Sequence, residues 1–458
     1  MPQTLMLIAM LVSALAVAAP RAIAAASDTD LPIVYLTWTG DPLTSIDVHW
    51  IGEPTDTNST VAIRPDGGDA WRTVAGGHRP MPGLDLLIHH VAVGGLEPDT
   101  TYEFRIGGAS TVYRFATMHE PAEGPTRFAV GGDVYRKARL LTMIFEQVAA
   151  RDVDFVILGG DITPARGQLD QADTWLRFLS IYQQTMVRPD GRFVPLVALI
   201  GDHEVNGGFD QTPAEAPFFY SLFAYPGDAG RGVIDFGRTL SLVTLDSGHT
   251  HAVDGEQRDW LERTLAERAD RTHLFAAYHV NAWSAERPMG LNSAERLRDH
   301  WVPLFEAHGV DGVFEHHEHC FKRTHPIRDN RIDATGVVYF GNGGVSETRS
   351  RHPDPPGSWL SGGRWFLARS GSLNHMYVVT LAGPHRTFEA VDVTGRTFDT
   401  YRTVAGAPAP IVYDTARPTL VNLWLPMLLA ATAGAVVTLV TLAVIRRRAR
   451  LRFVPGRG

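Results

Sequence analysis

The sequence predicts an N-terminal β-sandwich followed by an α/β domain of layered β-sheets flanked by helices, with a single C-terminal transmembrane helix. Three observations carry this. Residues 31–118 are rich in short β-branched and aromatic runs broken by turn residues. From residue 126 onward, apolar strands alternate with amphipathic helical segments, the pattern of an α/β domain. Between Pro418 and Ile445 no residue is charged, which exceeds the roughly 20 residues needed to cross a bilayer.

The ends come first. An apolar run from Leu5 to Ala19 is followed by Ala22-Ile23-Ala24-Ala25-Ala26. This reads as a signal peptide over residues 1–26. Met1-Pro2-Gln3-Thr4 carries no Lys or Arg, so an uncleaved anchor is the other reading. At the far end, residues 405–419 form a proline-containing stalk and residues 420–445 the predicted span. The basic tail 446–458 opens with Arg446-Arg447-Arg448, which places that side in the cytoplasm. The expected location is therefore a single-pass membrane protein whose main body is periplasmic or extracellular.

Composition narrows the chemistry. A formal net charge of −8 over 458 residues argues against nucleic acid as a partner. The one cysteine, Cys320, excludes an intrachain disulfide framework and a cysteine-based zinc site. It reads as a packed thiol.

Within 31–118, Ile33–Trp38, Ile46–Trp50 and Thr111–Phe115 read as strands. Leu96-Glu97-Pro98-Asp99-Thr100-Thr101-Tyr102 reads as a corner whose tyrosine hydroxyl bonds back to the backbone. This region resembles a fibronectin type III-like sandwich and shows no catalytic constellation. Asn58-Ser59-Thr60 fits a glycosylation sequon, relevant only in a cell that glycosylates.

Residues 126–404 carry the chemistry. Strand-like Arg127–Val130 ends in Gly131-Gly132-Asp133, and Phe155–Leu158 ends in Gly159-Gly160-Asp161. Pro195–Ile200 leads to Gly201-Asp202-His203-Glu204, and His273–Tyr278 leads to His279. Val313-Phe314 leads to Glu315-His316-His317-Glu318-His319. Helices are expected at about 140–150, 175–182, 257–268 and 294–307. Ligands of α/β sheets gather outside the carboxyl ends of the strands, so these five ends should converge. Three carboxylates and three imidazoles can hold two metal ions when one carboxylate bridges. Such ions acidify a water and clamp the attacking and leaving oxygens of an in-line displacement.

The ordered set Gly132-Asp133, Gly160-Asp161, Gly201-Asp202-His203-Glu204, His279 and His317-Glu318-His319 resembles the calcineurin-like metallophosphoesterases. With the sandwich in front, it is similar to purple acid phosphatases in particular. The resemblance implies a phosphate-ester substrate and two metal ions, iron paired with zinc, manganese or iron. It implies that Asp133 and His319 hold one ion, that Asp161 bridges, and that Asp202, His279 and His317 hold the other. His203 would lie over the leaving group as a catalytic proton donor or contact, and Glu204 would support the site from behind. A phosphodiesterase or nucleotidase of the same fold, or a weakened phosphate-binding or adhesion module, are the alternative readings.

Several positions depart from the family. The tyrosine three residues after the bridging aspartate is Pro164 here, which removes the iron–tyrosinate ligand. Tyr135 stands where relatives have a ligand histidine, and reads equally as a substitute ligand or an aromatic wall. Asp202 replaces an asparagine and adds negative charge. His316 replaces a glycine and is a candidate substrate contact. His249 and His251 form a second His-x-His, either a substrate contact or an exposed loop.

Overall fold

The computed structural model describes residues 31–224, 230–290, 292–347 and 364–412. The N-terminal part is two four-stranded antiparallel sheets. One joins Ile33–Thr37, Ile46–Gly52, Leu87–Val93 and Gly77–Pro80; the other joins Arg72–Ala75, Thr60–Pro65, Thr101–Ile106 and Tyr113–Ala116. Thr101–Ile106 buries every second residue, the period-two pattern of a strand with one face on a core. The predicted corner is present: Glu97 N donates to the Tyr102 hydroxyl at 2.8 Å.

The second part contains two sheets packed face to face. The first, of six strands, runs Leu196–Ala198, Phe155–Leu158, Thr126–Gly131, His375–Ala382, His385–Asp392 and Thr397–Val404. Its first three strands are parallel, and the remaining pairings are antiparallel. The second sheet, of seven strands, has a parallel centre formed by Leu240–Thr244, His273–Ala277, Gly312–Glu315 and Val338–Asn342.

Alternation along the strands builds three layers. Phe128, Phe155, Phe275, Phe314 and Phe340 point into the seam between the sheets. Phe128 lies 5.0 Å from Phe155 and 5.9 Å from Phe275, ring centre to ring centre. The intervening residues Ala129, Val156 and Leu158 face outward against helices Ala138–Ala149 and Ala172–Thr185. On the other side, Val243, Ala276 and Val313 pack with Leu261 and Leu265 of helix Glu256–Ala266. Strands with both faces covered read as continuous apolar runs, which is why Phe155–Leu158 and His273–Ala277 are buried at every position.

Two expectations are corrected. The single helix expected at 294–307 is two, Asn292–His300 and Val302–Ala307. Pro303 has no N–H and its ring clashes with the preceding turn, so the helix restarts there. The single C-terminal transmembrane helix is not found: no helix among the described residues is long and apolar enough to cross a membrane. The longest described helix, Ala172–Thr185, has 14 residues, about 21 Å against a hydrocarbon core of about 30 Å. The stretch on which the span was placed, 420–445, lies outside the described residues, as do residues 1–26 and 446–458. The single-pass location and the outward orientation built on that helix are withdrawn.

Candidate metal centre

Each predicted ligand sits just past the carboxyl end of a strand, and the two sheets contribute equally. Asp133, Asp161 and Asp202 follow parallel strands of the six-stranded sheet; His279, His317 and His319 follow strands of the other. The site therefore straddles the seam. The turns that deliver these residues are tight. Asp133, Asp161 and His317 have φ of 54°, 50° and 63°, a left-handed conformation uncommon for residues with a Cβ. Cross-links hold them: Asp133 N donates to Gly160 O at 3.0 Å, Val134 N to Asp161 O at 2.9 Å, and His316 N to His279 O at 2.9 Å.

Asp161, Asp202, His279 and His317 each place one ligand atom within 4.8 Å of the others. His317 Nδ1 is 3.0 Å from Asp202 Oδ1, and His279 Nε2 is 3.3 Å from carboxylate oxygens of both Asp161 and Asp202. Asp133 and His319 form the adjoining pair, with Nε2 2.9 Å from Oδ1. His317 N, donating to Asp133 Oδ2 at 2.9 Å, joins the pair to the cluster.

The donor set fits metal ions. Asp133 Oδ1 and Asp202 Oδ1 are buried and accept no hydrogen bond, although imidazole nitrogens approach to 2.9 and 3.0 Å. Close approach without hydrogen-bond geometry is what lone pairs aimed at a shared cation produce. The electrostatics agree. Burial opposes the charged form of Asp202, yet the imidazoles of His279 and His317 hold its carboxyl well below the usual range. Burial likewise disfavours a charged His279, but Asp161 and Asp202 hold its imidazole well above the usual value. Carboxylates and imidazoles that each favour positive charge at the other mark a site that demands positive charge, which a metal ion supplies once the imidazole nitrogens are unprotonated.

The surroundings orient these ligands. Gly159 O lies 2.8 Å from His279 Nδ1 and fixes the imidazole with Nε2 toward the cluster. Glu204 is buried beneath the Asp161 turn. It accepts from the backbone N–H groups of Gly201, Asp161 and Ile162, each at 2.8 Å. Burial, with the nearby Asp161 charge, pushes its carboxyl up to about 8. Asp161 Oδ1 in turn accepts from His203 N at 2.8 Å.

The remaining candidates separate. His203 Nε2 is 3.6 Å from Asp161 Oδ2 and 3.8 Å from Asp202 Oδ2, at the edge of the cluster. Tyr135 packs its half-buried ring against the core beneath helices Ala138–Ala149 and Ala172–Thr185. His316 is buried and wedged against the Gly132 and Gly159 turns, its Nδ1 2.7 Å from Asn342 O. It fills the space between those turns. His249 is buried beside the cluster, between Ser247 Oγ and Gly208 O. His251 is partly exposed, 3.5 Å from Asp246.

Residues that the sequence reading left out also reach the site. Glu347 lies 3.6 Å from His319 Nδ1 and accepts from Arg136 Nε at 2.7 Å. Arg136 and Arg166 both flank His203. Position three after Asp133 and five after Asp161 was the available signal, but arginines carry no metal-ligand signature. Glu318, unexplained by its sequence context, is buried and accepts from Ala285 N at 2.7 Å and Arg287 N at 3.0 Å, anchoring the loop that follows His279.

Comparison with known proteins finds both parts of the chain. Residues 32–117 match the purple acid phosphatase N-terminal domain, and residues 126–321 match the calcineurin-like phosphoesterase domain. The chain is 27% identical to purple acid phosphatase 15 of Arabidopsis thaliana over 303 residues, 59% of this chain and 56% of that protein. It is 26% identical to probable purple acid phosphatase 20 of the same plant over 375 residues, 75% of this chain and 80% of that protein. The match thus spans little more than half the length of the first relative and four fifths of the second. The fold is similar to that of purple acid phosphatase PPD1 from yellow lupin, with a TM-score of 0.65 at 17% identity, covering 84% of this chain and 77% of that one. It is also similar to PhoD, with a TM-score of 0.62 at 12% identity, covering 87% and 95%. The chain thus carries a purple acid phosphatase N-terminal domain over residues 32–117, followed by a calcineurin-like phosphoesterase domain over residues 126–321.

Proposed function

We propose that this chain is a metal-dependent phosphoric ester hydrolase of the acid phosphatase type, working through a dinuclear centre. One observation carries the reading: Asp161, Asp202, His279 and His317 converge within 4.8 Å beside the Asp133–His319 pair. In this assignment Asp133 and His319 would hold one ion, Asp202, His279 and His317 would hold the other, and Asp161 would serve both. When bound, the pair of ions acidifies a water and polarises the oxygens of an in-line displacement at phosphorus. The chain's own residues bind, orient and shield. Gly159 O keeps His279 turned inward, and Glu204 holds the Asp161 turn. His203, at the edge of the cluster, would be the proton donor or contact for the leaving oxygen.

The metals we assign are iron with zinc, manganese or a second iron. Pro164 supplies no phenolate, and the half-buried Tyr135 ring packs against the apolar core. The iron form is therefore expected to lack a strong visible charge-transfer band. The test is hydrolysis of phenyl phosphate by the purified protein loaded with manganese, zinc or iron. Turnover that Asp161→Ala abolishes supports the reading. Absence of turnover with every metal, or an unaffected Asp161→Ala variant, overturns it.

A further inference from the structure

Two guanidinium groups converge on one imidazole at the edge of the cluster. Arg136 Nη2 lies 3.0 Å from His203 Nδ1 and 3.1 Å from Nε2. Arg166 Nη2 lies 2.9 Å from the same Nε2. An imidazole ring nitrogen accepts one good hydrogen bond, so the two cations compete for it and repel each other. Glu347 offsets only one of them, through Arg136 Nε at 2.7 Å. Among the described residues no carboxylate pairs with Arg166, which is exposed. The Arg166 position is nevertheless fixed. Its backbone N–H donates to His203 O at 2.7 Å, its φ is 51°, and the following Gly167 has no room for a side chain. Such an arrangement, with one nitrogen of each guanidinium at the same imidazole and the Arg166 charge uncompensated, suits an incoming anion with several oxygens.

The place of this pair decides which anion. His203 lies 3.6–3.8 Å from the Asp161 and Asp202 carboxylates, so the guanidiniums border the cluster and do not belong to it. A phosphoryl group held by the ions would present its leaving side to His203, and the next group outward would meet Arg136 and Arg166. We propose that Arg136 and Arg166 are specificity-determining residues that grip a second phosphoryl group on the leaving side of the substrate. The site would then favour phosphoanhydrides over esters of neutral alcohols or phenols. This rests on the phosphoesterase reading above. The reaction is a hydrolysis with no redox change. Water oxygen forms the new bond to phosphorus, and the bridging oxygen departs with its electron pair on the second phosphate. That departing charge is the one the guanidiniums face.

The test compares ligands and substrates on the metal-loaded protein. Calorimetry measures binding of methylenediphosphonate, a non-hydrolysable two-phosphoryl ligand, against inorganic phosphate. Wild type is expected to prefer methylenediphosphonate at least tenfold. Arg136→Met with Arg166→Met is expected to bring that ratio within about threefold, and Arg166→Lys to fall between. In turnover, kcat/KM for pyrophosphate is expected to fall at least tenfold further than kcat/KM for phenyl phosphate. Equal losses for both ligands, or an unchanged ratio, overturn the proposal, because the arginines would then serve the shared phosphoryl group or the fold alone. Wild type that shows the binding preference but hydrolyses neither substrate overturns the hydrolase reading and leaves the anion grip standing.

Discussion

Replacing Gly159 by alanine isolates the wedge on which the site's geometry rests. Gly159 does not have positive φ, so alanine is conformationally permitted there. Space is the obstacle: an added Cβ would lie 2.1 Å from both Cδ2 and Nε2 of His316. Ordinary carbon contacts begin near about 3.5 Å, so the ring must retreat by more than about 1 Å. It has nowhere to go, since His316 is 1% exposed and also touches the Gly132 turn. Overpacking of this kind costs about 1–3 kcal/mol. Losing the 2.7 Å contact between His316 Nδ1 and Asn342 O adds about 1 kcal/mol. The expected loss is thus about 2–4 kcal/mol, read from the urea midpoint. Gly159 O is also the group that orients His279, so metal affinity is expected to fall with stability. A double-mutant cycle makes the argument strict. In a His316→Ala background the clash is gone, and Gly159→Ala should then cost less than about 0.5 kcal/mol. Additive effects of the two substitutions would refute the wedge.

The acid side of the stability profile has a predicted sign. Burial pushes His375 down to about 4, and burial with the neighbouring Arg386 charge does the same to His273. The unfolded chain binds more protons between pH 4 and 6.5, so the stability each supplies is present above 6.5 and lost as pH falls. Each contributes about 3 kcal/mol over that window. Asp311 acts oppositely: burial raises it to about 6, so its contribution is present at low pH and lost as pH rises through 6, offsetting about one histidine. From pH 6.5 to 4 the urea midpoint of His375→Gln should therefore fall less, or rise more, than that of wild type; a slope unchanged by that variant contradicts it. Lys322→Met strands Glu315, which is fully buried and paired at 2.6 Å, and should cost about 3–5 kcal/mol by denaturant titration. A cost below about 1 kcal/mol would show the pair to be dispensable. Asp202→Asn removes a negative charge from the cluster and should tighten inhibition of phenyl phosphate hydrolysis by inorganic phosphate several-fold; an unchanged inhibition constant counts against its place there.

Much of the site was readable because strand ends and metal chemistry share a signature. An apolar run closing in Gly-Asp or His marks both where a buried strand stops and where a ligand emerges. Asp133, Asp161, Asp202, His279, His317 and His319 were all picked out that way, and the fold brings them together at one end of the two sheets. What the runs do not encode is sheet membership: Phe155–Leu158 and His273–Ala277 look alike, yet they lie in different sheets whose seam the site bridges. The packing of His316 was out of view in the sequence because its steric partners, Gly132 and Gly159, are over 150 residues away. Glu347 and Arg136 were missed for the same reason, each meaningful only through the other. The helix break was in view: Pro303 announces it, and the amphipathic pattern across 294–307 concealed it.

The account stands most directly on the number of metal ions per chain. Elemental analysis of the purified, metal-loaded protein should give two per chain. Asp161→Asn, which removes the bridging charge, should lower that number, and His319→Ala should remove one ion while the Asp202–His279–His317 side keeps the other. A wild-type ratio of one or none, or a ratio of two that neither substitution changes, would contradict a dinuclear centre at this seam.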